Sequence, residues 1–183
     1  MSAPDEGYDF GTARGAWPEA VFAALVAREV RLLAHVPDGG NAPLIACCEA
    51  EPSMAVVPLT TEEEGVGVIA GAWLGGMRSV LAIQSSGVGN CGNLFAMLRS
   101  CTMPALLVVS MRGEWGEFVP WQIPMGQAAP DMLRLFGFDL FQLDRAEEAH
   151  EVADHALRQA FLGGRATALL VSQRLVGSKS FGK

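Results

Sequence analysis

Residues 79–93 read SVLAIQSSGVGNCGN. Ser79 to Gln84 is a short run, apolar on both faces rather than alternating, as in a strand buried on both sides. A glycine-bearing turn follows it, and then a helical pattern from Cys91 to Ser100. The same unit recurs outward in both directions. Similar runs lie at Val30 to Val36, Met54 to Leu59, Ala105 to Ser110, Phe138 to Leu143 and Ala166 to Ser172. Helical patterns separate them at Ala42 to Glu51, Glu62 to Gly76, Ala128 to Phe136 and Arg145 to Leu162, and Trp17 to Arg28, with Pro18 in its first turn, precedes them all. This alternation predicts an α/β fold: a parallel sheet of about six strands with helices on both faces and right-handed crossovers. No repeat or composition shift marks a second domain, so the expectation is one domain over 15–172 between tails at 1–14 and 173–183.

Composition excludes several classes of function. Of 183 residues, 13 are Lys or Arg and 20 are Asp or Glu, a net charge of −7 that gives no overall positive field for a nucleic acid. No apolar stretch approaches the roughly 18 residues needed to span a bilayer. The N-terminal MSAPDEGYDF is acidic where a secretory signal would be basic and then apolar, so a cytoplasmic protein is expected. Cys47, Cys48, Cys91 and Cys101 form no C-x-x-C, and with His35, His150 and His155 far from them in sequence they read as reduced thiols rather than a zinc site.

Ligands of parallel sheets bind at the carboxyl ends of the strands, so the turns there are where chemistry is sought. The first, His35-Val36-Pro37-Asp38-Gly39-Gly40-Asn41, is a tight bend that an ordinary turn also explains. The second, Thr60-Thr61-Glu62-Glu63-Glu64-Gly65, places three acids at a helix start. Thr60 with Glu63, or Thr61 with Glu64, makes a capping box, and the spacing leaves the choice open. Residues 63, 67, 70 and 74 share a helical face on which Gly67, Ala70 and Gly71 would admit a backbone or a flat ligand, a closely packed seam. The third turn holds G-x-G-x-x-G at Gly87, Gly89 and Gly92, a dinucleotide fingerprint. It follows the third strand instead of the first, and the next strand ends without the acid that would hold a ribose; Arg112 leaves an NADP reading open. The fourth, Met111 to Gln127, is long and carries Trp115, Phe118 and Trp121, the composition of a functional loop or a subunit contact.

In this order and spacing, EEEGVGVIAGAWLGG (62–76), QSSGVGN…N (84–93) and RGE…P-W-Q-I-P-M-G within 112–126 resemble the α subunits of sulfopyruvate decarboxylase and the N-terminal part of phosphonopyruvate decarboxylase. Both are thiamine diphosphate enzymes, and the resemblance runs from about Val36 to Ser172. It implies that this chain is the pyrimidine-binding domain and that Glu63 is the catalytic glutamate. A carboxylate there bonds the ring nitrogen N1′ of the cofactor and favours the imino tautomer that deprotonates C2. Gly87, Val88 and Gly89 would contact the cofactor beside it. The substrate pocket implied is Asp38, Gly39, Asn90, Asn93, Arg112 and Gln122, with Arg112 the one cation on these turns unless it is tied to Glu114 or Glu117. Gln122 stands where single-chain enzymes carry histidine and split enzymes glutamine, which favours the split form.

Nowhere does the chain carry G-D-G followed some 25 residues later by Asn, the pattern by which these enzymes hold Mg²⁺ and the diphosphate. The resemblance therefore implies half an active site, with no metal on this chain. A separate β subunit would supply metal and diphosphate contacts in an α2β2 assembly or a multiple of it. The implied reaction is decarboxylation of a small 2-oxo acid, sulfopyruvate- or phosphonopyruvate-like, to an aldehyde. A carboligase subunit acting on another 2-oxo acid, an NADP-binding Rossmann-like protein and a non-catalytic regulatory homologue are the alternatives.

Overall fold

The computed structural model describes residues 16–177, so the expected N-terminal tail at 1–14 and residues 178–183 lie outside it. Within those bounds the order is α1 (Trp17–Ala27), β1 (Val30–His35), α2 (Ala42–Glu49), β2 (Ala55–Pro58), α3 (Glu62–Leu74), β3 (Arg78–Gln84), α4 (Ser85–Val88), α5 (Gly92–Ser100), β4 (Ala105–Ser110), α6 (Gln122–Leu135), β5 (Asp139–Leu143), α7 (Ala149–Phe161), β6 (Ala166–Val171) and α8 (Gln173–Val176). The strands form one sheet in the order β2-β1-β3-β4-β6-β5, every pair parallel, as the alternating pattern predicts.

Period-two geometry divides the apolar strands between two cores. Val80 and Ala82 of β3 face α1, α2 and α7, while Leu81 and Ile83 face α3, α5 and α6. Strand β4 does the same with Leu106 and Val108 against Leu107 and Val109. A helix-covered parallel strand must be apolar on both faces, which explains the runs seen in the sequence.

Three boundaries differ from expectation. The segment after β3 is not an open turn: it is helical from Ser85, passes through a 3₁₀ turn at Gly89–Cys91 and continues as α5. Helix α6 starts at Gln122, six residues before the expected Ala128, because Pro124 sits in its first turn, where a missing N–H costs nothing. Gly126 lets that helix lie on the preceding loop, since a Cβ there would overlap the Arg112 carbonyl oxygen. The expected tail at 173 begins instead as α8, with Gln173, Leu175 and Val176 buried.

Sheet order locates the crevice. From β1 the chain moves outward to β2 and then crosses back to β3 on the other side, so β1 and β3 flank the topological switch point.

Candidate active site

Asp38, in the turn after β1, and Gln84, the last residue of β3, meet across this crevice. Gln84 Nε2 donates to Asp38 Oδ1 at 3.0 Å. The other oxygen of Asp38 accepts the Ser110 hydroxyl and the Asn41 backbone N–H, the latter at 3.2 Å. Gln84 Oε1 in turn accepts Ser86 Oγ–H and Gln122 Nε2–H, both at 2.9 Å. This chain of bonds fixes which way each amide faces: Gln84 presents its NH₂ to Asp38, and Gln122 spends a donor on Gln84. Gln122 Oε1 is left buried without a partner among the described residues, as is Asn41 Oδ1. Beside the chain, His35, Asp38, Gly39 and Ile45 help to line an open cleft of about 450 Å³.

The three acids at the start of α3 have separate fates. Glu64 closes the capping box with Thr61, its carboxylate accepting the backbone N–H of Thr60 at 2.9 Å and of Thr61 at 3.4 Å. Glu62 accepts Asn90 Nδ2–H at 2.8 Å, and its stem occupies the space above Gly87. Glu63 is exposed, and its carboxylate has no hydrogen-bond or ion-pair partner among the described residues. The structure thus resolves the two capping registers in favour of the one that releases Glu63. One turn and two turns along the same face, the sites of a Cβ on Gly67 and on Gly71 have nothing within 4 Å. The expected seam divides: Ala70 is buried in the core, Gly67 and Gly71 lie open, and the closely packed glycine of α3 is Gly65, against Leu59 and Leu81.

Gly87, Val88 and Gly89 do not form a phosphate-wrapping turn. Val88 is fully buried in the core, Gly87 faces Glu62, and a Cβ on Gly89 would meet Met125 at 3.3 Å. None of them has a positive φ, so the helical geometry argues against the dinucleotide reading. Cys91, just beyond, is no nucleophile: burial, then the charges of Glu62 and Glu63, push its thiol up to about 12.

Arg112 is not a free cation: of the two arrangements the sequence left open, the structure has it tied to Glu117. It lies 5% exposed, and Nε and Nη2 form a bidentate pair with Glu117 at 2.6 and 2.7 Å. Its backbone N–H donates to Ser85 Oγ at 3.1 Å. Burial would raise the Glu117 carboxyl, but Arg112, the Val119 N–H and Gln173 hold it down at about 2. Asn93 is exposed on the first turn of α5, and the structure joins it to none of the other expected site residues.

Asp38 and Gln122 are therefore brought together, Glu63 and Asn90 border the same end of the sheet, and Arg112 belongs to a separate buried cluster. Gln84, Ser110 and Asn41 were missing from the expected site. Gln84 and Ser110 end neighbouring strands in register, so searching strand ends as well as turns finds them. Among the described residues, no three His, Cys, Asp or Glu side chains form a group able to hold a metal ion, and no helix is long and apolar enough to cross a membrane.

No family model matches the chain. It is 36% identical over 146 residues to sulfopyruvate decarboxylase subunit alpha of Methanothermobacter thermautotrophicus, covering 76% of this chain and 88% of that one. The corresponding subunit of Methanocaldococcus jannaschii is 32% identical, with 75% and 82% covered. Phosphonopyruvate decarboxylase of Streptomyces viridochromogenes is 34% identical over 70% of this chain but only 33% of its own length. Among solved structures, a 2-oxoglutarate:ferredoxin oxidoreductase from Magnetococcus marinus shares the fold, with a TM-score of 0.69 at 14% identity over 87% of this chain and 29% of that one. At this identity and coverage, with the crevice and the acidic helix start in place, the chain belongs to the family of sulfopyruvate decarboxylase α subunits.

Proposed function

We propose that this chain is the α half of a split thiamine diphosphate-dependent decarboxylase that converts a small 2-oxo acid with an anionic 3-substituent to an aldehyde and CO₂. The observation that carries the reading is Glu63: alone of the three acids, its carboxylate is unclaimed among the described residues, and it borders the strip of α3 at Gly67 and Gly71 that those residues leave uncovered. An unpaired acceptor beside an uncovered small-residue face fits a flat aminopyrimidine, which needs an anion at one ring nitrogen and room for its plane. Glu63 would hold that ring by N1′, and the cofactor, when bound, supplies the electron sink for loss of CO₂.

The remaining work falls to the chain's own residues. Glu63 holds a proton at N1′, in a hydrogen bond that favours the reactive tautomer. Asp38, through Gln84, orients the amide of Gln122, and the unpartnered Gln122 Oε1 offers an acceptor to a donor entering the crevice. Gln122 is thus a positioning group for substrate, and Asn90, held by Glu62, lines the approach. With Arg112 neutralised by Glu117, the cation for the anionic head comes from the partner, a β subunit that also brings Mg²⁺ and the diphosphate contacts.

The test is to combine the full chain with a β subunit carrying the metal motif, weigh the complex in solution, and assay sulfopyruvate, phosphonopyruvate and pyruvate. Decarboxylation by the mixture and by neither chain alone is expected, with the anionic substrates preferred. Activity of this chain alone, preference for pyruvate, or a carboligation product would overturn the reading.

A further inference from the structure

Helix α8 joins the two loops that build the crevice. Gln173, 1% exposed, is its first residue. Its Oε1 accepts the backbone N–H of Glu114 at 2.9 Å and of Trp115 at 3.0 Å, and its Nε2 donates to Glu117 Oε2 at 3.0 Å. Its own backbone N–H donates to Glu114 Oε2 at 3.1 Å. One residue on, the Arg174 guanidinium lies 3.7 Å over the Trp115 ring. At the other end of α8, Val176 packs against Gly40, where a Cβ would come within 2.9 Å of it, behind the Asp38 turn.

We propose that Gln173 is a positioning residue of the active site: its side-chain amide locks the 112–121 loop to the strand ends, and with it the start of α6, so that Gln122 meets Gln84. The arrangement needs both halves of the amide. The carbonyl takes two loop N–H groups that no backbone partner among the described residues satisfies, and the NH₂ completes the shell of the buried Glu117 carboxylate, which Arg112 alone does not saturate. A carboxylate or an apolar side chain at this position removes one half or both. The effect on catalysis rests on the decarboxylase reading; the lock itself does not.

Hydrogen exchange on the full chain tests the lock, and kinetics of the α–β complex tests its use. Q173L should speed exchange across 113–119 at least tenfold while peptides from β3 and β4 keep their protection. Q173E, nearly isosteric with the wild-type side chain, is the second variant and keeps the test independent of whether Q173L folds. Near pH 7.5 its carboxylate repels Glu117 and the segment opens. Near pH 5 the introduced carboxyl takes up a proton and again offers one donor and one acceptor, so protection relative to wild type at the same pH returns. In the complex, kcat/KM should fall by up to roughly a hundredfold, as for small misplacements of reacting groups, and in Q173E should recover on acidification. Unchanged exchange at 113–119, or exchange rising equally over the whole sheet, would overturn the lock. An opened loop with full activity would overturn the positioning role. If wild-type complex is inactive as well, the decarboxylase reading falls, and exchange alone decides for or against the lock.

Discussion

Gln84 Nε2 lies 3.0 Å from Asp38 Oδ1, and this bond ties the end of β3 to the turn after β1 across the switch point of the sheet. Asp38 accepts from three donors, Gln84, Ser110 and the Asn41 N–H, and donates to none. D38N therefore turns one acceptor into a donor that must face a donor whichever way the amide is placed. Flipping Gln84 in response moves the conflict to Gln122 Nε2, and flipping Gln122 as well relieves it only by turning the Gln122 NH₂ into the enclosed position now held by its unpartnered Oε1. The expected cost is about 1 kcal/mol in urea unfolding, the low end of the penalty for an unpaired polar group, because Asp38 is half-buried beside the open cleft. S110A, which removes one donor and leaves Asp38 two, should cost less. Equal stability of D38N and wild type would show that the bonds contribute nothing.

For Glu63 the prediction separates fold from function. The capping box is made by Glu64, so E63Q breaks no bond within the described chain and should change stability by no more than about 0.5 kcal/mol. In the α–β complex it should lower kcat by roughly 10²- to 10⁴-fold, the range for removing a positioned proton-transfer group. E64Q should show the reverse bias, with a small loss of stability and near-normal turnover. Full activity in E63Q would remove the assignment.

Acid should expose the loop cluster. Despite its burial, the Glu117 carboxyl is held at about 2, first by the Arg112 hydrogen bonds. A carboxyl depressed in the folded state adds stability above its unfolded value near 4.3, and that stability is lost as pH falls toward 2. Glu114 runs the other way: burial raises its carboxyl, against the Gln173 N–H, so its contribution improves as pH drops. Melting temperatures between pH 5 and pH 2 should therefore fall less steeply in E117Q than in wild type, from a lower starting point, and more steeply in E114Q. Parallel curves for E117Q and wild type would contradict the pairing.

What the sequence disclosed follows from the range of the interactions. The strands were legible because a helix-covered parallel strand must be apolar on both faces, and Ala105 to Ser110 meets that condition over its whole length. Glu63 was legible as a motif but not as a free carboxylate, since Thr60 with Glu63 and Thr61 with Glu64 are equally spaced and only the folded backbone, extended at Thr61, selects between them. The start of α6 was hidden because Pro120 and Pro124 punctuate it like a loop, although a proline in a first turn is harmless. Arg112 could be named but not assigned, because its claim on Glu117 depended on loop closure. Gln173 carried no local signal, as its side-chain partners lie 56 to 59 residues away in sequence.

The open face of α3 gives a test in which stability and assembly move in opposite directions. Gly67 and Gly71 are interior helical residues whose missing Cβ atoms would meet nothing within 4 Å. Among the described residues nothing gives them a packing reason to be glycine, and each costs the helix about 1 kcal/mol relative to alanine. G67A and G71A should thus each stabilise the full chain by about that amount, and the double variant by more than either alone. If this face receives the β subunit and the cofactor ring beside Glu63, the added methyl groups fall where close approach is needed. Titration with the β subunit should then show weaker association or weaker cofactor retention, most in the double variant. Larger residues sharpen the contrast: G67L should still fold, since its side chain would point into open space, and should abolish assembly. A G67L chain that binds the β subunit and turns over substrate as wild type does would show that the face is bare in the assembled enzyme, and that Glu63 works without the surface on which its role is argued.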